Sequence, residues 1–141
     1  MKIHEVIITT CDKDCNHHIA PMGINIIDNK VIIKPFKPSK TLDNLKESKC
    51  AIVNFIDDVR VFAGIVTGIK REWYLEKVSG NKVMRLKDAN AHFLLRVKTE
   101  TEDKIRPEIS CEIIDRKTYK PFLGFNRAQF SVIEAAVLVS R

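Results

Sequence analysis

Two prolines, Pro35 and Pro38, constrain the fold of this chain more than any other feature of its sequence. They fall at the end of a strand predicted over Lys30–Phe36, and neither can donate a hydrogen bond to a neighbouring strand. The strand therefore has to end here, and the chain is predicted to turn into a short helix at Leu42–Leu45. We expect this strand-to-helix turn to organise the surrounding structure.

The same turn collects polar and basic side chains. Ser39 and Thr41 both suit the N-cap position of the helix, and Lys34, Lys37 and Lys40 add positive charge. A helix N-terminus presents unpaired N–H groups and the positive end of the helix dipole, which suits a phosphate dianion. The turn is not a P-loop, because it lacks the glycines and the GK[ST] ending. A plain turn with solvated lysines explains the same residues equally well, so both interpretations stay open here.

The rest of the chain reads as short apolar strands separated by turns. Helices are predicted at Val59–Thr67, where a strand is a close alternative, and at Asn126–Arg141, with Asn126 as the N-cap. The other predicted strands are Glu5–Thr10, His18–Asp28, Cys50–Ile56, His92–Thr99 and Glu108–Arg116. About six strands, mostly antiparallel, with two or three helices predict a mainly β fold, a barrel with appended helices.

Four further predictions concern shorter features. The amide of Asn54, inside an apolar strand, either ties down a neighbouring backbone or contacts a ligand. Trp73 and Tyr74 are expected to form a small satellite core, and Asp88–Ala91 a helical turn. Glu134 falls on the apolar face of the last helix, where it would need a cation or a helix end as its partner.

Length and composition indicate one domain over residues 1–141. A hydrophobic content of 45% and a charged content of 30% are ordinary for a globular protein. The net charge of +6 permits an anionic ligand or nucleic acid without demanding either. We expect a cytoplasmic protein with no membrane partner, because neither a signal peptide nor a membrane-spanning run is visible. The four cysteines are expected to be free thiols.

Other functional classes find less support. Cys11, Cys15, His17 and His18 are zinc-ligand types, but their spacing departs from CxxC and no second Cys/His pair closes a site, so no metal is expected. No catalytic triad or acid–base pair is recognisable, and the catalytic residues stay unknown. RNA binding by a small basic barrel is an alternative, although RNP-type aromatics and a GxxG loop are missing.

Four stretches together resemble one family. They read EVIITT followed by IAPMGI, then IIKPFKPSKTLDNL, then AIVNFIDD, and PFLGFNRAQFSVIEAAVL. The chain is similar to the domain-of-unknown-function family 447 (DUF 447), whose members adopt the FMN-binding split β-barrel fold. Family members usually continue into a further helical segment, whereas this chain stops at Arg141.

The resemblance implies a homodimer that binds FMN between its subunits, with Ser39 and Thr41 donating hydroxyls to the phosphate and Lys40 supplying charge. Met22 and Gly23 would present backbone to the flavin ring. The full set of cofactor-binding residues that it implies is Met22, Gly23, Lys34, Pro35, Ser39, Lys40, Thr41, Asn54, Asn126 and Arg127. The expected function is a flavoprotein, a flavin-dependent oxidoreductase of unknown substrate. The alternatives are a non-catalytic flavin or nucleotide carrier or sensor, and the RNA-binding barrel.

Overall fold

Six antiparallel strands close into a barrel in the computed structural model, which describes residues 2–140. In chain order the elements are β1 (His4–Cys11), β2 (His17–Ile27), β3 (Lys30–Ile33), α1 (Lys40–Ser48), β4 (Cys50–Phe55), α2 (Val59–Thr67), β5 (Leu75–Glu76), β6 (Arg85–Leu86), β7 (Ala91–Thr101), β8 (Glu108–Thr118) and α3 (Arg127–Val139). Around the barrel the order is β1-β2-β3-β8-β7-β4, and β5 and β6 form a separate two-stranded sheet. The predicted mainly β barrel with appended helices is confirmed.

The alternation of side chains along each strand separates two apolar layers. In β1, Val6 and Ile8 lie in the barrel interior, which also receives Leu42 and Leu45 of α1. Ile7 faces the opposite way and packs beneath α2 and α3. The helix α1 therefore contributes to the barrel core, whereas α2 and α3 cover its outer surface and pack against each other.

Each helix has a defined N-cap. Ser39 caps α1, Asp58 caps α2, and Asn126 caps α3 through a capping box with Gln129. The helix predicted at Val59–Thr67 is confirmed with the bounds expected, and the strand alternative is wrong. An aspartate cap followed by an apolar helical face decides between them.

The turn after β3 differs in detail from the prediction. β3 ends at Ile33 rather than Phe36, because Pro35 lies two residues on and the chain has already left the sheet. α1 runs over nine residues instead of the four expected, and Thr41 lies inside it, so Thr41 as N-cap is wrong. The helical turn expected at Asp88–Ala91 is also wrong, since residues 87–88 form a turn and Ala91 already begins β7.

Some apolar and charged side chains lie elsewhere than expected. Trp73 packs against the layer beneath the helices, but Tyr74 is 83% exposed, so the predicted pair is wrong. On α3 only Ala136 is fully buried, and Phe130 is 58% exposed. Glu134 is exposed as well, and therefore needs no buried partner. The apolar outer face of α3 has no partner among the described residues of this chain.

Candidate functional site

The N-terminus of α1 has two backbone N–H groups available to a ligand. Ser39 Oγ accepts a hydrogen bond from Leu42 N at 3.2 Å, and the Ser39 carbonyl accepts one from Asp43 N at 3.1 Å. No hydrogen bond among residues 2–140 uses the N–H of Lys40 or of Thr41. The Ser39 hydroxyl still has its own proton to donate while it caps the helix. This end of α1 can therefore offer three donors to an anion.

The three lysines of the turn do not form one cluster. Lys34 pairs with Glu108 at 3.5 Å, and Lys37 pairs with Glu102, also at 3.5 Å. Both acidic residues belong to the hairpin made by β7 and β8 or to its turn. Lys40 is exposed and makes no ion pair within residues 2–140. Two of the three lysine charges in this turn are thus paired, and the one without an ion pair belongs to Lys40.

Two other expected ligands in this segment are buried. Thr41 is only 1% exposed, so its side chain does not reach solvent, and the hydroxyl contact expected from it is not supported. The same 1% covers its backbone, so the Thr41 N–H is nearly buried, and the more accessible donors of this helix end belong to Ser39 and Lys40. Pro35 is buried as well, and Lys34 is held by Glu108, so neither is placed to lie along a ligand at this end of α1.

The β1–β2 register places His18 on the sheet face that meets α1. His18 pairs with Thr10 across β1 and β2, and Thr10 Oγ1 accepts a hydrogen bond from Asn44 Nδ2 of α1 at 3.0 Å. Burial, the Lys40 ammonium and the Arg71 guanidinium together lower the pKa of His18. Sequence reasoning treated His18 only as a metal-ligand type and did not single out Arg71, because nothing local in the sequence relates either residue to α1.

The expected metal-ligand types are engaged in other ways. His17 Nε2 accepts a hydrogen bond from Met84 N at 2.9 Å, and its Nδ1 lies 3.1 Å from the Cys15 carbonyl. Residues 2–140 contain no group of three His, Cys, Asp or Glu side chains that could hold a metal ion. The four cysteines are free thiols, as predicted. Among the described residues, no helix has both the length and the apolar character needed to cross a bilayer.

With this geometry in place, comparison with known proteins identifies the family. Residues 4–120 match the family described as "Protein of unknown function (DUF447) N-terminal domain". The chain is a member of DUF447. A comparison with curated proteins found no match.

Solved structures similar to this DUF447 chain share its barrel. FMN-bound protein MM1853 from Methanosarcina mazei, itself assigned to DUF447, superposes with a TM-score of 0.79 at 22% identity, covering 96% of this chain and 72% of its own. The 2-nitrobenzoate 2-nitroreductase NbaA of Pseudomonas fluorescens gives 0.70 at 19% identity, covering 82% of this chain and 64% of its own. Flavin reductase PheA2 gives 0.69 at 21% identity, covering 83% and 80%. The fold of this DUF447 chain is therefore the split barrel of flavin reductases.

The second strand of this DUF447 chain holds two expected ring contacts. Met22 is half-buried and packs against the barrel core. At Gly23, an added Cβ would lie 2.8 Å from Ile3 Cγ2, so a group does approach the backbone closely here, as predicted. That group is a side chain of the same chain, and Ile3 would have to move before a ring could take its place.

Asn54 was predicted either to tie down a neighbouring backbone or to contact a ligand, and in the structure it ties down the backbone. It is fully buried, its Nδ2 donates to the Ile7 carbonyl at 3.0 Å, and its Oδ1 accepts from Leu86 N at 2.7 Å. The amide thus ties the β5–β6 sheet to the barrel wall. Its expected direct contact with a cofactor is not supported, because Asn54 is fully buried and both polar atoms of its amide are hydrogen-bonded within the chain.

The remaining expected contacts lie at the start of α3. The Asn126 side-chain oxygen accepts from Gln129 N at 2.8 Å, so the capping box already uses it. Arg127 is exposed and makes no ion pair within residues 2–140. Among the described residues, no hydrogen bond or ion pair joins either of them to Ser39 or Lys40.

A second polar cluster includes His92 of barrel strand β7. The sequence analysis did not predict this cluster. His92 is 1% exposed, its Nδ1 lies 2.9 Å from the Tyr119 hydroxyl, and its Nε2 has no partner within the described structure. The Arg85 guanidinium stacks on the Tyr119 ring at 3.6 Å and pairs with Glu76 at 2.6 Å. Burial and the Arg85 charge lower the pKa of His92 below its ordinary value of 6.5.

This cluster predicts a loss of stability in mild acid. The folded chain binds a proton at His92 less readily than the unfolded chain does, so the stabilisation is complete above pH 6.5 and declines as the pH falls below that value. We expect the free energy of unfolding, measured by urea titration, to fall more steeply between about pH 6.5 and pH 5 in the wild type than in His92→Gln. Equal slopes for the two proteins would contradict this assignment.

Proposed function

We propose that this DUF447 chain binds FMN and that the flavin phosphate docks at the N-terminus of α1. The observation that carries the proposal is the group of donors there: the N–H groups of Lys40 and Thr41, which have no partner among residues 2–140, the Ser39 hydroxyl, and the Lys40 ammonium, which forms no ion pair within residues 2–140. A dianion satisfies all four at once, and an uncharged ligand would leave the ammonium uncompensated. The FMN-bound M. mazei relative supports the choice of ligand.

The proposed activity is a flavin-dependent oxidoreductase with an unknown substrate. The flavin reductase and nitroreductase relatives support this class over a passive carrier. Bound FMN would supply the electron transfer. The chain itself would supply the binding energy at the phosphate, orientation of the flavin against the barrel, and exclusion of water from the ring. No nucleophilic side chain is needed for this chemistry.

The proposed assembly is a homodimer with FMN between its subunits. An apolar surface formed by Phe122, Leu123, Phe130 and Leu138 supports it, since these side chains are between 54% and 89% exposed in the single chain. Phe125 stacks edge-on against Phe122 and Phe130, which makes this surface continuous from the loop to α3. Contiguous exposed apolar patches of this kind mark interaction sites. Asn126 and Arg127 lie beside the patch, where they would face the partner's flavin.

Dimer formation is tested by reversing the polarity of the patch. The double variant Leu123→Glu/Phe130→Glu is expected to be a monomer in light scattering coupled to gel filtration, because buried carboxylates would oppose association. Ile105→Glu is the matched control, since Ile105 is 66% exposed in the turn between β7 and β8, away from the patch. A wild-type monomer, or a double variant that stays dimeric, would contradict the proposed interface.

Purification tests the ligand and the activity in turn. The wild-type protein is expected to be yellow, and mass spectrometry of the released chromophore is expected to identify FMN. Bleaching of the colour by a reduced nicotinamide nucleotide would support the oxidoreductase, and a colour stable to it would favour a carrier or sensor. A colourless protein that also fails to bind added FMN would rule out both flavin functions.

A further inference from the structure

The β5–β6 sheet lies against the barrel wall without joining the barrel strands. The connection from α2 to β7 spans residues 68–90, and only β5 and β6 have regular secondary structure within it. Connections of this length with so little secondary structure are often lids or binding loops. We call residues 75–86 the β5–β6 cover. Apolar contacts and a few hydrogen bonds with barrel side chains hold this cover, and two histidines lie at these contacts.

His17 of β2 holds the cover as a hydrogen-bond acceptor. Its Nε2 accepts from Met84 N at 2.9 Å, and its Nδ1 lies 3.1 Å from the Cys15 carbonyl, which can only accept. These two contacts fix the tautomer, because the proton must be on Nδ1 and the lone pair on Nε2. An imidazolium carries a proton on both nitrogens and accepts no hydrogen bond. Protonation of His17 therefore breaks its bond to Met84 N and leaves two donors facing each other.

His92 of β7 is linked to the cover through Tyr119. Its Nδ1 lies 2.9 Å from the Tyr119 hydroxyl, and its buried Nε2 has no partner in the described part of the chain. The Arg85 guanidinium, which belongs to the cover, lies over the ring of the same tyrosine at 3.6 Å. A proton on His92 would create a second buried cation near Arg85, with no acceptor for its Nε2. Movement of Arg85 away from the wall and entry of water would remove both costs.

The charges around His92 do not compensate for such a proton. Burial is the largest cause of its lowered pKa, and the Arg85 guanidinium is the next. Glu76 of β5 is held by Arg85 at 2.6 Å. On β8, the exposed Asp115 favours the protonated form and the exposed Lys117 opposes it, so this strand supplies one charge of each sign. The closed cover therefore favours neutral His92.

His17 also has no carboxylate as its partner. Within residues 2–140 it forms no ion pair. Across the β1–β2 pair it lies opposite Cys11, and burial raises the pKa of that thiol, so Cys11 stays uncharged. The other charged groups near Cys11 are Lys82 of the cover and Asp12, whose carboxylate is bonded within its own turn. The closed cover therefore offers a proton on His17 no acceptor and no paired anion.

We propose that the β5–β6 cover is acid-sensitive: it stays closed on the barrel wall while His17 and His92 are neutral, and it detaches when they take up protons. This inference does not depend on the proposed FMN binding. The apolar contacts of Val83 and Leu86 do not change with pH, so they set how rarely the cover opens at neutral pH. The histidines set how much more often it opens in acid. Opening would expose the buried thiol of Cys11, which packs against Val83.

Hydrogen exchange of single amides, followed by NMR at about pH 7.5 and about pH 5.5, tests this proposal. A histidine with the ordinary pKa of about 6.5 that binds a proton only in the open form raises the open fraction about tenfold between these pH values. We therefore expect the protection factors of the Met84 and Leu86 amides, corrected for intrinsic exchange, to fall by about tenfold to a hundredfold. Amides of the β3–β8 ladder are expected to stay within about twofold.

The matched variants are His17→Gln and His92→Gln, because glutamine can accept the same hydrogen bonds and does not titrate. Each single variant is expected to reduce the pH effect by about tenfold, and the double variant to keep both amides within about twofold at the two pH values. His4→Gln, which changes an exposed histidine of β1, is expected to behave as the wild type does.

Three results would overturn the proposal. The first is equal protection of Met84 and Leu86 at the two pH values in the wild type, which needs no variant to fold. The second is a loss confined to Met84, or one shared equally by the β3–β8 ladder, since the cover would then not move as a unit. The third is a folded double variant that loses as much protection in acid as the wild type.

Discussion

Replacing Lys40 by alanine is expected to weaken FMN binding by about tenfold to a hundredfold and to change riboflavin binding by less than about twofold. The two ligands share the ring and the ribityl chain and differ only in the phosphate. Lys40 has no ion pair with any described residue, so its charge is available to that phosphate. Fluorescence quenching of each flavin on titration with protein measures both constants.

The matched control for Lys40→Ala is Lys37→Ala in the same turn. Lys37 lies three residues earlier and carries the same charge, but Glu102 already pairs with it at 3.5 Å. We expect Lys37→Ala to leave FMN affinity within about twofold of the wild type, because the pair it removes is a surface one. Equal losses of FMN and riboflavin in Lys40→Ala, or equal losses of FMN in both variants, would show that Lys40 does not hold the phosphate.

Replacing Asn54 by alanine is expected to lower the free energy of unfolding by about 3 kcal/mol. The change removes the acceptor of Leu86 N and the donor to the Ile7 carbonyl, both in the fully buried interior. Each backbone group left without a partner has already lost its hydration, and the lost volume adds to that cost. Urea unfolding followed by circular dichroism measures the change.

Asn25→Ala is the control for this prediction. Asn25 is also a barrel asparagine, but its Nδ2 donates to the Lys2 carbonyl at 2.9 Å in an exposed position. Water can replace that bond, so we expect a loss below about 1 kcal/mol. If Asn54→Ala proves no more destabilising than Asn25→Ala, Asn54 does not anchor the β5–β6 sheet.

Most of the barrel was predictable because its signals are local. Short segments rich in apolar and β-branched residues, separated by turn residues, mark the six barrel strands, and Ser39, Asp58 and Asn126 mark the starts of the three helices. The errors at Lys34–Phe36 and within α1 concern only where an element begins or ends. Competition between proline and the strand ladder decides such a boundary within a few residues.

The candidate site was predictable only in part, because its electrostatics depend on distant segments. The sequence places Ser39 and Lys40 at a helix start, but it does not show that the β7–β8 hairpin neutralises Lys34 and Lys37. Barrel closure creates those pairs by bringing together segments far apart in the chain. The β1–β2 register places His18 opposite Thr10, which accepts a hydrogen bond from Asn44 of α1, and a pattern of adjacent histidines cannot indicate this.

NMR of the backbone amides tests most directly whether the end of α1 holds the flavin phosphate. The N–H groups of Lys40 and Thr41, which have no partner within residues 2–140, would acquire one in the complex. We expect both amide proton resonances to move strongly downfield on addition of FMN and to stay in place on addition of riboflavin. Bound FMN that leaves both resonances unmoved would contradict the account, because the phosphate would then lie somewhere else.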